Sequence, residues 1–307
     1  MRVLFFGTPD FAVPSLQALL AAGIDVTLVV TQPDHGQGHL HRTPRPPAVK
    51  LVAEAAGLPI AQPERPRGDD FYQQLRDANA DLGVVVAYGH LLRPELLAIP
   101  RLGFVNVHAS LLPRWRGAAP IHWALLSGDE ETGVSIMRVE AGLDTGAVWH
   151  TRAHRVRPTD TTGLLFSELA TLGAEALIEA LPLIASEMPP TPQDDHAATI
   201  APKVAREIAR IDWREPARAV SCRIRAMDPR PGAWATIAGH EMKLFGPRVV
   251  ESKVAAAGTL METDHHLVVA CGSGALEIAE VQPSGKRRMS AVDWIRGSGV
   301  APGARFE

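Results

Sequence analysis

The feature that most constrains this chain is the alternation, through its first half, of apolar runs of strand length with longer segments of helical periodicity. Residues 3–6 form an apolar run stopped by Gly7-Thr8-Pro9-Asp10, and residues 11–20 then carry a helix-like pattern that ends at Gly23. Further strand candidates lie at 26–30, 58–61, 82–87, 104–107 and 134–139, with a short one at 148–149. Helix-like stretches fall between them at 48–56, 71–78 and 121–126, and residues 161–185 read as a long closing helix. Strands that alternate with helices predict an α/β fold whose mostly parallel sheet is covered on both faces. A strand, a glycine turn and a helix also open dinucleotide-binding domains. Here the turn lacks the three-glycine spacing that admits a pyrophosphate, and Pro9 removes a backbone donor, so a nicotinamide enzyme is disfavoured.

Between Glu187 and Pro202 the run Met188-Pro189-Pro190-Thr191-Pro192-Gln193-Asp194-Asp195 has the composition of a linker. Beyond it the pattern changes. A helix is predicted over 215–227, followed by short strand candidates at 235–237, 242–245, 267–270 and 276–281 with glycine turns between them. Short strands so punctuated suggest a small barrel of the oligonucleotide-binding type. The 307 residues, 46% of them hydrophobic, suffice for two cores of unequal size. The net charge of −3 is unevenly spread: from Lys203 onward there are 16 basic and 12 acidic residues, and before it 15 and 22. A basic second half is compatible with a polyanionic partner and equally with a solvated basic surface. Cys222 and Cys271 have neither metal-ligand nor disulfide-framework spacing. No apolar stretch reaches the length of a membrane span and the first residues do not form a secretory signal, so a cytoplasmic protein is expected.

The segment from Gly103 to Pro120 carries the candidate chemistry. Side chains alternate along a strand, so Asn106 and His108 project from one face while Val105 and Val107 project from the other. Both lie at the strand's C-terminal end, where open parallel sheets bind ligands. They could also serve local backbone groups, as polar residues at strand ends commonly do. Gly142-Leu143-Asp144-Thr145-Gly146 is a glycine-bracketed turn after the next strand. Asp144 alone would read as a turn residue capping its own backbone, but its place in the chain lets the turn lie over the same sheet edge as His108.

Asn106-Val107-His108, Ser110-Leu111-Leu112-Pro113 and Leu143-Asp144-Thr145-Gly146 resemble the signature of the folate-dependent formyltransferases. More narrowly, Gly7-Thr8-Pro9-Asp10-Phe11, Thr31-Gln32-Pro33-Asp34, Val86-Ala87-Tyr88-Gly89, Pro113 to Ile121 and Ala209-Arg210-Ile211-Asp212-Trp213 resemble the branch of that family acting on methionyl-tRNA, and the likeness extends to Gln282-Pro283-Ser284-Gly285-Lys286. The resemblance implies a Rossmann-like catalytic domain over 1–189, a linker over 190–205 and a smaller OB-like β-barrel domain over 206–307 that meets tRNA. It implies 10-formyltetrahydrofolate as formyl donor, initiator methionyl-tRNA as acceptor, no metal, and a monomer. Asn106, His108 and Asp144 become the catalytic set. Asn106 and His108 would donate to a developing oxyanion, and Asp144 would orient His108 and accept the amine proton. Ser110, Leu111, Leu112, Pro113, Tyr88, Leu91 and Gly142 become folate contacts, although Leu91, Leu111 and Leu112 could be plain core residues.

Arg42, Arg45, Lys286 and Arg287 become tRNA contacts, joined by Arg288 and the arginines at 214, 218, 223 and 225 as candidates for phosphate. The loop over 34–47 departs from the family pattern. Where relatives carry Gly-Arg-Gly and lysines, this chain reads Gly36-Gln37-Gly38-His39-Leu40-His41-Arg42. His35, His39 and His41 could alternatively bind a metal, but no acidic or cysteine partner completes the set. Another formyl-folate user, such as a sugar-amine formyltransferase or a formyl-folate hydrolase, would share Asn106, His108 and Asp144. The basic second half and Arg114-Trp115-Arg116 favour tRNA over these. A nucleic-acid-binding module with an inactive sheet domain is the rival from another class, and the intact trio argues against it.

Overall fold

The computed structural model describes residues 1–34, 45–251, 255–262, 266–298 and 303–307. The chain forms two compact units. The first comprises Met1–Gly117, Thr132–Arg155 and Phe166–Ile200; the second comprises Ala118–Glu131, Val156–Leu165 and Ala201–Glu307. In chain order the elements begin β1 (Arg2–Gly7), α1 (Val13–Ala21), β2 (Asp25–Val30), α2 (Ala48–Ala55), β3 (Ile60–Ala61), α3 (Asp69–Asp77), β4 (Leu82–Val86), α4 (Pro94–Leu97) and β5 (Phe104–His108). They continue with α5 (Pro120–Leu126), β6 (Glu131–Arg138), β7 (Val148–Arg155) and α6 (Thr162–Ala185).

The first unit is built on a seven-stranded sheet of order β3-β2-β1-β4-β5-β6-β7. The pairings from β3 to β5 are parallel, and β6 runs antiparallel to β5. Val3, Leu4, Phe5 and Phe6 are all fully buried, because a parallel sheet covered on both sides leaves neither face of its central strand to water. One face holds Leu4, Phe6, Leu28, Val30, Tyr88 and Phe104 in a common cluster. Within it Phe6 meets Tyr88 and Phe104 edge-on, with ring centroids 5.3 and 5.4 Å apart. Each such buried ring contributes about 1.5–3 kcal/mol. Gly83 on β4 is required by this packing, since a Cβ there would lie 2.1 Å from the Phe104 ring.

The sequence misjudged three details here. Residues 11–20 were expected as one helix, but a 3-10 turn over Asp10–Ala12 precedes α1. The short candidate at 148–149 is the start of the eight-residue β7. Only Ile60–Ala61 of the candidate at 58–61 is a strand.

The second unit continues with α7 (Ala217–Met227), β8 (Ala233–Ile237), β9 (His240–Val250), β10 (Leu260–Glu262), β11 (Leu267–Ala270), β12 (Ala275–Pro283), β13 (Met289–Ser290) and α8 (Ala291–Ser298). Its six-stranded sheet runs β10-β11-β12-β9-β8, with β13 on β12, and the described pairings are antiparallel. Residues 303–307 then bridge the two edges. Glu307 exchanges backbone hydrogen bonds with Thr236 of β8, and Phe306 and Ala304 bond Gly258 and Leu260 at the β10 edge. Phe306 is 2% exposed and its ring lies 5.5 Å from that of Trp213. Closure of this kind removes the unpaired edges an open sheet would expose. The closing segment left no signal of its own in the sequence, because five residues are too few to show a period. Arg225 is 8% exposed in this unit and donates to the carbonyls of Asp160 and Arg157. Among the described residues no helix is long and apolar enough to cross a membrane.

Candidate active site

Along β5 the buried residues Phe104, Val105 and Val107 fix the strand, leaving Asn106 half-buried and His108 5% exposed on one face. Directly opposite on β6 stand Met137 and Ser135. Ser135 ties the strand to the loop that follows it: its Oγ donates to the Ser110 carbonyl (2.7 Å) and accepts the Leu112 N–H (3.0 Å). Ser110 donates its hydroxyl to the Arg114 carbonyl at 2.6 Å. The loop then turns back, and the Trp115 carbonyl accepts from His108 Nε2 at 2.9 Å. A carbonyl only accepts, so this contact assigns a hydrogen to Nε2 and points Nδ1 elsewhere.

Nδ1 faces Asp144 Oδ2 at 3.7 Å, longer than a hydrogen bond but within ion-pair range. The route by which Asp144 arrives differs from the one expected. Because β6 is antiparallel to β5, with Val105 opposite Arg138 and His108 opposite Ser135, β6 ends beside the start of β5. The connection from β6 to β7 must therefore fold back to reach His108. Asp144 adopts φ +51°, a left-handed conformation that Asp tolerates better than most residues, and its Oδ2 accepts the Gly117 N–H at 2.8 Å. Among the described residues the Asn106 carboxamide has no hydrogen-bond partner, which leaves its donors available to a bound molecule.

The other expected contacts divide. Leu111, Leu112 and Pro113 are half-buried in the loop stapled by Ser135, and Gly142 is exposed in the Asp144 turn. Leu91 is 86% exposed. The Tyr88 ring is 1% exposed in the core cluster, where burial pushes its hydroxyl up to about 12, and the Ser110 side chain is fully buried, so these two residues offer a ligand their backbone and not their side chains. The Tyr88 carbonyl accepts from Gln32 Nε2 at 2.9 Å and Thr8 Oγ1 at 3.3 Å.

Of the expected tRNA contacts, Arg42 lies outside the described residues, as do His35, His39 and His41. Arg45, Lys286 and Arg287 are exposed. The other arginines named as candidates for phosphate also make local contacts. Arg214 pairs with Asp212 (2.7 Å), Arg223 with Glu215 (2.9 Å), Arg218 with Glu130 (3.5 Å), and Arg288 with Asp228 (2.9 Å) and Glu280 (2.6 Å), while Arg225 is buried on the carbonyls already named.

Of the stretch read as a linker, the residues up to Ile200 fall in the first unit and those from Ala201 in the second. Thr199 Oγ1 accepts the Trp115 N–H and its carbonyl accepts the Arg116 N–H, both at 2.9 Å. Arg116, 6% exposed, donates to Gln193 Oε1 (2.9 Å) and Asp195 Oδ1 (2.8 Å). Gln193 Nε2 in turn donates to the carbonyls of Asp144 (2.8 Å) and Gly146 (2.7 Å). Sequence reading missed Ser135, Gln193 and Thr199, whose partners lie 23 to 84 residues away along the chain.

Residues 1–181 match the formyl transferase family, and residues 203–299 match the formyl transferase C-terminal domain. The chain is 45% identical to the methionyl-tRNA formyltransferase of Jannaschia sp. (strain CCS1) over all of both chains, and 46% identical to that of Methylococcus capsulatus over 98% of each. In fold it is similar to HypX from Aquifex aeolicus in complex with tetrahydrofolic acid, with a TM-score of 0.65 and 21% identity over 95% of this chain and 46% of the other. Full-length likeness of that degree, with both domains matched in order, places this chain in the methionyl-tRNA formyltransferase family.

Proposed function

We propose that this chain transfers the formyl group of 10-formyltetrahydrofolate to the free amino group of methionine on initiator tRNA, with Asn106, His108 and Asp144 as the reacting set. The observation that carries the reading is the convergence of His108 and Asp144 at 3.7 Å beside an Asn106 carboxamide without a partner among the described residues. The amine nitrogen attacks the formyl carbon, a new C–N bond forms, and the carbonyl oxygen becomes an oxyanion. Asn106 Nδ2–H donates to that oxygen. With the Nε2 hydrogen committed to the Trp115 carbonyl, donation from His108 comes from Nδ1–H of its imidazolium, whose charge Asp144 balances. Asp144 accepts the amine proton directly or through a water, the oxyanion collapses to the new amide carbonyl as the bond from carbon to the folate nitrogen breaks, and the proton held by Asp144 passes to that nitrogen as tetrahydrofolate leaves. Folate is held along the backbone of Tyr88 and Ser110 and along Leu111, Leu112, Pro113, Leu91 and Gly142. The tRNA phosphates meet Arg45, Lys286 and Arg287, and no metal takes part.

The test incubates the protein with 10-formyltetrahydrofolate and methionyl-tRNA, and separately with free methionine and with uncharged tRNA. Formyl-methionyl-tRNA alone should appear; formylation of free methionine at an equal rate would refute the acceptor. Asn106→Ala should lower turnover about 100- to 1,000-fold with KM little changed. Near-normal turnover would remove Asn106 from the reacting set.

A further inference from the structure

Gln193 uses nearly all of its hydrogen-bonding capacity on two segments that the sequence keeps far apart. Its carbonyl oxygen accepts from Arg116 Nε at 2.9 Å, and its amide nitrogen donates to the carbonyls of Asp144 at 2.8 Å and Gly146 at 2.7 Å. The orientation of this carboxamide is unambiguous: a guanidinium only donates and a backbone carbonyl only accepts. Arg116 is itself buried and belongs to the loop whose neighbouring residue, Trp115, bonds His108, while the next, Gly117, bonds Asp144. One side chain thus links the loop that bonds His108 to the turn that presents Asp144, and that turn carries Asp144 in a left-handed conformation.

We propose that Gln193 is the positioning residue for Asp144, fixing where its carboxylate stands relative to His108. The proposal rests on the reading that Asp144 takes part in the transfer. The turn starts from the sheet edge away from His108, so β6 and β7 do not themselves determine how far it folds back. Alongside the Gly117 N–H on the Asp144 carboxylate, the two hydrogen bonds from Gln193 to the Asp144 and Gly146 carbonyls supply that restraint on the turn itself, and reacting groups displaced by about 1 Å lose up to about a hundredfold in rate.

The experiment compares Gln193→Glu, Gln193→Ala, Asp144→Asn and the Gln193→Glu/Asp144→Asn double variant in steady-state formylation, each corrected for its folded fraction from a melting curve. Glutamate keeps the acceptor for Arg116 but turns an acceptor toward two carbonyls, so it strains the turn while preserving the other contact. Expected are a 10- to 100-fold fall in kcat for Gln193→Glu and for Gln193→Ala, with KM for both substrates within about threefold, and a double variant no slower than Asp144→Asn alone. A Gln193→Glu kcat within twofold of wild type overturns the proposal. So does a loss that multiplies with that of Asp144→Asn, which marks a structural role only. If Asp144→Asn by itself stays within twofold of wild type, the reading of Asp144 fails, and the proposal falls with it; that single variant separates the two failures.

Discussion

Gly146→Ala is a direct test of how tightly the Asp144 turn is held. An added Cβ would lie 2.0 Å from the Arg138 carbonyl oxygen and 2.9 Å from its carbon. The optimum for such contacts is about 3.5 Å, so the turn must withdraw by roughly 1.5 Å. Arg138 cannot yield in its place, being paired opposite Val105 in the sheet and donating its N–H to the Ala147 carbonyl at 2.9 Å. Overpacking of this kind costs about 1–3 kcal/mol. A shift of that size in the turn should also lower kcat by up to about 100-fold. Urea denaturation reads the first effect and steady-state formylation the second. Gly57→Ala is the control: Gly57 has φ +67° with open space around it, so alanine there costs roughly 1–2 kcal/mol of left-handed strain far from the reacting groups. It should lose stability and keep turnover. Turnover within twofold of wild type in Gly146→Ala, alongside a measurable stability loss, would refute the argument that the turn must be held in place.

Arg225→Met should cost about 1–3 kcal/mol in urea unfolding, because the carbonyls of Asp160 and Arg157 lose a buried donor; an unchanged midpoint would contradict the packing described. Asp212 is held at about 2 by the Arg214 side chain and then by its backbone N–H, so the stability it contributes is present above the ordinary carboxylate range and lost as pH falls from about 4 toward about 2. Asp212→Asn should flatten the melting temperature against pH within that window, an effect kept small by solvent screening, and an identical acid slope would count against the pair. Replacing Lys286 and Arg287 together by alanine should reduce the salt dependence of KM for tRNA by a slope of about 1.4–1.8, and an unaltered slope would exclude both as phosphate contacts.

The central strands and helices were legible because their signal is local. A run such as residues 3–6, or the alternation that puts Asn106 and His108 on one face, depends only on backbone geometry repeated every two or 3.6 residues. Glycine and proline likewise marked the breaks. The residue types and order at Asn106, His108 and Asp144 were enough to nominate a reacting set, and the fold brings the latter two together at 3.7 Å.

The sequence by itself therefore determined the secondary-structure rhythm, the two-part α/β and β-barrel organisation and the chemical identity of the candidate groups. Only the tertiary structure decided that β6 reverses direction, that Tyr88 faces the core, and that Gln193 and Thr199 bond the segments carrying Asp144 and Trp115. It alone closes the barrel through residues 303–307. The physical reason is common to all four: strand direction, core facing, side-chain bridges and barrel closure are contacts between segments remote along the chain, and such contacts impose no period on the residues that make them.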